Sequence, residues 1–276
     1  MKKDAESAEN RTAFPRIDLH THSVFCDGKD TPEEMVEAAI AKRMEAIGVC
    51  VHSHTPHDES YCASLQGMRS FLAEMQRLKE KYDGRIRVLA GAEQDLFSDA
   101  DVSAFDYVIG SVHYLKHRGH YFEVDGSEAC FRQIVGEQFG GDFYACADLY
   151  FEEVSSILEL THADIVGHLD LMTKFNEGGK LFNENDPRYL AAAKKCIDRL
   201  IPYGRPFEIN TGAMHRAYRT GPYPSHALRA YIREKGGCFI LSSDTHSADH
   251  LMYAFEAFAD EADKDACTWL YRRLSV

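Results

Sequence analysis

Seven times along this chain a strand-length apolar run appears, separated from the next by longer, amphipathic sequence. The runs fall at 17–19, 46–51, 87–91, 107–112, 163–167, 206–209 and 238–241. Helical periodicity lies between them, most clearly at 67–82, 147–161, 187–201 and 225–235. The first helix has an explicit start. Thr31 is a good N-cap, Pro32 suits the first helical position and Glu34 completes a capping box, predicting a helix to about Arg43. Apolar runs alternating with helices predict βα units, and seven such units predict an α/β fold whose parallel sheet closes into a barrel. A length of 276 residues suits one such barrel. Helix-like sequence resumes after Asp249, and the least regular stretch, 116–143, reads as an insertion or lid over the site.

Each run ends in a polar side chain, most of a metal-ligating type. His20 and His22 end the first, His52 the second, Glu93 the third, His113 the fourth and His168 the fifth. Asn210 ends the sixth, and Asp244 and His246 end the seventh. The C-terminal ends of barrel strands converge on one mouth, where active sites lie. A lone histidine is more often a surface or core residue than a ligand, but placement at strand after strand does not fit that reading. With Asp27, six histidines and two further carboxylates make nine candidates, too many for one ion and enough for two or three. Imidazole and carboxylate ligands suit Zn, Fe or Mn, and Glu93 is a natural bridging carboxylate. Such ions can lower the pKa of a shared water and bind phosphoryl oxygens.

Bulk properties exclude other classes. The net charge of −13 argues against a nucleic-acid surface, which needs clustered Lys and Arg. No apolar run approaches the roughly 20 residues of a membrane span. The N-terminal sequence lacks the apolar core of a secretory signal, so 1–14 reads as a disordered lead-in and 15–276 as a single domain. Eight cysteines without a Cys-x-x-Cys pair read as free thiols in a reducing cytoplasm.

The motifs Asp-Leu-His-Thr-His-Ser, Gly-Ala-Glu-Gln-Asp, Gly-Ser-Val-His-Tyr, Val-Gly-His-Leu-Asp and Ser-Ser-Asp-Thr-His resemble the PHP (polymerase and histidinol phosphatase) superfamily. Residues 55–62, 174–176 and 208–212 look like its freestanding histidinol-phosphatase branch. The resemblance implies a distorted seven-stranded TIM-like barrel with a trinuclear centre. His20, His22, Glu93 and Asp244 would hold one part of the cluster, completed by Asp27, His52, His113, His168 and His246. It implies hydrolysis of L-histidinol phosphate by a metal-bound hydroxide, with Asp244, His246 and Glu93 as catalytic residues. Another small phosphate ester or a nucleotide is the alternative substrate. A non-catalytic metal-binding module, like PHP domains attached to polymerases, is the alternative of another class.

Several assignments stay open at the sequence level. His54 competes with His52, which is preferred because residues 55–62 then fall into register. Asp27 is either a ligand or a turn residue of Asp-Gly. Arg216 is a phosphate clamp, a role guanidinium suits, or a surface ion pair. Lys174, Asn210 and His117 are further substrate-binding candidates, and Arg219 is a weaker one. Asp58, Glu59 and Asp170 are rim acids that could take a substrate amine. No oligomeric state is read from the sequence.

Overall fold

A computed structural model describes residues 15–266, so the predicted lead-in at 1–14 lies outside the described residues. The βα alternation is present throughout. The chain runs β1 (Ile17–Asp18), α1 (Pro32–Ala41), β2 (Ala46–His52), α2 (Leu65–Lys81), β3 (Arg87–Asp95) and β4 (Tyr107–Ser111). A hairpin follows, β5 (Tyr114–His117) and β6 (His120–Glu123), then α3 (Glu128–Phe139), α4 (Phe143–Val154) and α5 (Ile157–Thr161). The remaining elements are β7 (Ile165–Val166), α6 (Pro187–Leu200), β8 (Phe207–Asn210), α7 (Gly212–His215), α8 (His226–Glu234), β9 (Phe239–Ser242) and α9 (Phe255–Phe258).

Seven strands form one all-parallel sheet in the order β1-β2-β3-β4-β7-β8-β9. Closure is made just past the named strands. Thr21 bridges Thr245 in parallel, and the His22 amide donates to the Thr245 carbonyl at 2.7 Å. With β1 and β7 only two residues long and β3 nine, the barrel is distorted. Asp18, fully buried, accepts hydrogen bonds from the amides of Ser243 and Met252 and so ties the first strand to the segment after the last.

The interior is filled by alternate residues: Leu19, Cys50, Leu89, Tyr107, Ile109, Ile165 and Ile240. The Tyr107 ring crosses the floor, and its hydroxyl donates to the Leu19 carbonyl at 2.5 Å. Two glycines make room for it. A Cβ at Gly48 would stand 2.0 Å from the Tyr107 hydroxyl, and one at Gly91 would stand 2.5 Å from the ring. Two further clusters pack between the sheet and its surrounding helices.

Helix starts follow the sequence. Thr31 and Glu34 form the expected capping box on α1. Asp186 caps α6, with Pro187 in its first turn. The segment read as one helix over 147–161 is two, α4 and α5. Their break is at Ser155, whose hydroxyl donates back to the Glu152 carbonyl at 2.6 Å, a bond that competes with the helix ladder. The stretch 116–143 carries most of the hairpin and α3. Its two-residue turn has positive φ at both positions, 50° at Arg118 and 85° at Gly119, as a type I′ turn requires. Arginine is an unusual first residue there, so the turn signal is weak in sequence. Among the described residues no helix is long and apolar enough to cross a membrane, and all seven described cysteines are free.

Candidate metal centre

Strand periodicity decides which side chains reach the mouth. Cys50 and Leu89 point into the barrel, whereas Val49, Val51, Ala90 and Ala92 pack outward against α1 and α2. Period two therefore sends His52 and Glu93 inward, and they are direct partners in the β2–β3 register. Ile109 points inward, and so does Ser111, whose hydroxyl donates to Glu93 Oε1 at 2.7 Å. Asp244 follows β9 with φ 47°, a left-handed conformation that Asp tolerates better than most residues.

The centre is Glu93. Its Oε2 lies 3.1 Å from His20 Nε2, 3.2 Å from His22 Nε2 and 3.0 Å from His52 Nδ1. Its Oε1 lies 2.9 Å from His168 Nε2 and 3.4 Å from His113 Nε2. Asp244 Oδ1 stands 3.7 Å and 3.6 Å from the Nε2 atoms of His20 and His22. Asp27 spans His52 at 3.5 Å and His246 at 3.1 Å, on the more exposed side. Three groups overlap: His22, Asp27, His52 and His246; His20, His22 and Asp244; and His52, Glu93 and His113.

These residues fit divalent ions. Glu93 Oε2 is buried and makes no hydrogen bond, although three ring nitrogens surround it. A buried carboxylate oxygen without a donor is uncommon, whereas ligand atoms each about 2.1 Å from one ion stand about 3 to 3.5 Å apart. The protonation preferences agree. Burial opposes ionisation of Glu93, yet the charges of His20, His52 and His113 hold its carboxyl well below the usual carboxylate range. Asp244 is likewise held down, against burial, by Arg216, His20 and His246. Burial, with His52 and His246 nearby, pushes His22 down to about 3, leaving a neutral imidazole with a free lone pair. Burial disfavours the charged form of His20 too, but Glu208, Glu93 and Asp244 together raise it well above the ordinary value.

The nine expected ligands are thus brought to one place, eight in the three groups and His168 through Glu93. His54 is not among them. Its Nε2 pairs with Glu59 Oε1 at 3.1 Å, away from Glu93. The tight spot at Asp27-Gly28 is the glycine: a Cβ there would lie 2.5 Å from the Ser23 amide nitrogen.

A cavity of about 200 Å³ opens beside the cluster. Arg216 lines it, with one terminal nitrogen 3.2 Å from Asp244 Oδ2 and the other 3.4 Å from His246 Nδ1. Lys174 also lines it, but its ammonium donates to the carbonyl and carboxylate of Asp125 at 2.6 and 3.1 Å. Asn210 lies beneath the cavity rather than in its lining. Its amide donates to Glu208 at 3.1 Å and its oxygen accepts from the Gly212 amide at 2.9 Å. His117 is not a lining residue either. It shares the Leu115 face of β5, and its ring packs 5.0 Å from Phe139. Arg219 is committed to Glu184, at 2.7 Å. The expected rim acids are also engaged elsewhere. Asp58 accepts from the Tyr114 hydroxyl at 2.6 Å, Glu59 pairs with His54, and Asp170 is buried, accepting from the Ser225 amide at 3.0 Å.

Four residues near the site are not among the expected site residues, although Asp95 and Glu208 lie within stretches that carry the family resemblance. Glu208 contacts His20 Nδ1 at 2.7 Å, Asp95 Oδ2 lies 3.4 Å from His113 Nδ1, and Cys26 Sγ lies 3.4 Å from His22 Nδ1. Glu123 on β6 lines the cavity. Period two could have found the first two. Asp95 is two residues from Glu93, and Glu208 is two from Asn210, so each shares its neighbour's face.

A closed parallel sheet with imidazoles and carboxylates converging at its C-terminal mouth defines a metal-binding β/α barrel. More narrowly, the chain belongs to the PHP domain family, which matches residues 18–212. The histidinol-phosphatase of Bacillus subtilis (strain 168) is 26% identical over 268 residues, covering 88% of this chain and 98% of that protein. A solved structure from Listeria monocytogenes is similar with TM-score 0.74 at 20% identity, covering 88% of this chain and 99% of that one. The histidinol phosphate phosphatase of Lactococcus lactis subsp. lactis, solved with zinc, L-histidinol and phosphate, has TM-score 0.64 at 20% identity, with 95% and 94% covered. These two structural likenesses show the shared barrel.

Proposed function

We propose that this chain is a metal-dependent phosphomonoesterase that hydrolyses L-histidinol phosphate to L-histidinol and phosphate. As such it acts in histidine biosynthesis, in the cytoplasm, with residues 15–276 as one catalytic domain. The observation that carries the reading is the convergence of five imidazoles on the two oxygens of Glu93, beside a cavity lined by Arg216. Family membership and the Bacillus subtilis relative support the same activity.

The ligand set is His20, His22, Asp27, His52, Glu93, His113, His168, Asp244 and His246. Divalent ions held there would lower the pKa of a bound water towards neutrality and offset the charge of a phosphoryl group. Asp244 and His246 line the reacting end of the cavity, and Glu93 acts with them through the imidazoles it gathers. Arg216 faces the same space and can take two phosphate oxygens through its planar fork. Its contact with Asp244 keeps the guanidinium aimed there before substrate arrives. The substrate's other end is cationic. Glu123 suits it: the carboxyl is half-buried in the cavity wall, packs against Gly126 and has no hydrogen-bond or ion-pair partner among the described residues. Burial, with Asp125 and Asp58 nearby, pushes its carboxyl up, which an ammonium group would reverse.

Steady-state assay of the zinc- or manganese-loaded protein on L-histidinol phosphate and a panel of phosphomonoesters tests the reading. The expected kcat/KM for L-histidinol phosphate exceeds that for neutral sugar phosphates and nucleotides by at least 100-fold. A higher value on a nucleotide or sugar phosphate overturns the substrate, and no turnover of any ester overturns the enzyme. Glu123→Gln should raise KM for L-histidinol phosphate while leaving that for an uncharged alkyl phosphate unchanged.

A further inference from the structure

His20 stands out in the cluster because its far nitrogen is hydrogen-bonded to a carboxylate that faces no bulk water. Glu208 is buried at 1% exposure, and its Oε1 lies 2.7 Å from His20 Nδ1. Its Oε2 accepts from the His168 backbone amide at 3.1 Å and from the Asn210 side-chain amide at 3.1 Å. Asn210 Nδ2 also stands 3.4 Å from Asp244 Oδ2. One carboxylate on β8 thus touches the segment after β1, the segment after β7 and, through Asn210, the segment after β9. All three segments carry expected ligands.

The chemistry of the contact fixes a proton. An ionised carboxylate only accepts hydrogen bonds, so a 2.7 Å contact places the imidazole proton on Nδ1. Nε2 is then the nitrogen left to face a metal ion, and it is 3.1 Å from His22 Nε2, 3.1 Å from Glu93 Oε2 and 3.7 Å from Asp244 Oδ1. The backbone amide of His168 and the amide of Asn210 occupy the other oxygen. The carboxylate therefore cannot rotate away without leaving the buried His168 amide unpaired and Asn210 Nδ2 with only its longer contact to Asp244.

We infer that Glu208 is a positioning residue of the metal centre: it holds His20 as the Nδ1-protonated tautomer, with Nε2 aimed at the His20–His22–Asp244 group. The inference rests on the reading of the cluster as a metal site. Carboxylates that orient ligating imidazoles typically contribute 10- to 100-fold in metal affinity. Glutamine at 208 keeps the size but brings an N–H₂ group, which cannot satisfy His20 Nδ1–H and the two other donors together.

The test is zinc titration of the full-length metal-free protein against a chromophoric chelator, wild type beside Glu208→Gln. One zinc equivalent should weaken by 10- to 100-fold while the others keep wild-type affinity, and the thermal midpoint of the metal-free variant should stay within a few degrees of wild type. Unchanged affinity at every equivalent overturns the inference. So does an equal loss at all of them together with a lower metal-free midpoint, because that is a folding defect. If Glu208→Gln does not fold, ¹⁵N-coupled NMR of the wild-type zinc protein decides: the proton of His20 on Nδ1 supports the inference, and on Nε2 overturns it. A wild-type protein that binds no zinc at all removes the metal reading itself, a different and distinguishable failure.

Discussion

Gly212 offers the sharpest perturbation of the site, because the residue itself does no chemistry. It opens α7 directly after β8, and a Cβ there would lie 2.8 Å from Asp244 Oδ2, 2.8 Å from the Arg216 guanidinium and 2.9 Å from Asp244 Cβ. Ordinary contact begins at 3.4 Å, so Gly212→Ala must displace the Asp244 carboxylate or the Arg216 head by about 0.6 Å. Its φ is not in the left-handed region, so alanine adds no backbone strain and the effect is confined to that displacement. A misplacement of about 1 Å at a reacting centre costs roughly 100-fold. On that scale 0.6 Å costs roughly 15-fold in kcat/KM, close to 1.6 kcal/mol of transition-state stabilisation. Overpacking should also lower stability by about 1 to 3 kcal/mol. Gly221→Ala is the control, since a Cβ there meets nothing within 4 Å. The assay is steady-state hydrolysis of L-histidinol phosphate at saturating metal, with unfolding followed in parallel. Wild-type kcat/KM in Gly212→Ala, or an equal loss in Gly221→Ala, would refute the link between this close contact and the reacting geometry.

Gly48→Ala should destabilise by roughly 3 kcal/mol or more, because its Cβ would overlap the immobile Tyr107 hydroxyl. Denaturant titration should show partial rescue on adding Tyr107→Leu, and strict additivity of the two changes would rule out the clash. Burial pushes the Glu153 carboxyl, which accepts from the Lys116 amide, up to about 8 from its ordinary 4.5. The folded protein therefore binds that proton more tightly than the unfolded chain, and the stability so gained is complete below pH 4.5 and lost as pH rises through 8. Glu153→Gln should remove that loss, about 2 kcal/mol after allowance for partial exposure. Equal urea midpoints for the variant and wild type at pH 5, 7 and 9 would count against it. Removing metal with a chelator should lower the thermal midpoint by roughly 8 to 16 °C, as expected when a ligand at about 1,000 times its Kd is withdrawn from a domain of this size. Identical melting with and without the chelator would contradict a metal centre at Glu93.

The sequence by itself carried the repeating units and the chemistry of their ends. Short apolar runs, the Thr31–Glu34 capping box and a ligand-type residue after almost every strand are local properties, set by strand and helix periodicity within a few residues. A parallel barrel then brings those ends together whatever the loops do. Tertiary structure decided what depends on facing and on distant partners. His52 turns in beside Glu93 because of the β2–β3 register, whereas His54, two residues on, has left the strand and pairs with Glu59. Lys174 gives its charge to Asp125, and His117 takes the core-facing side of a hairpin whose turn has a weak sequence signal. Glu208 meets His20 across 188 residues of chain. No local pattern encodes that distance, because only closure of the sheet brings β8 against the segment after β1.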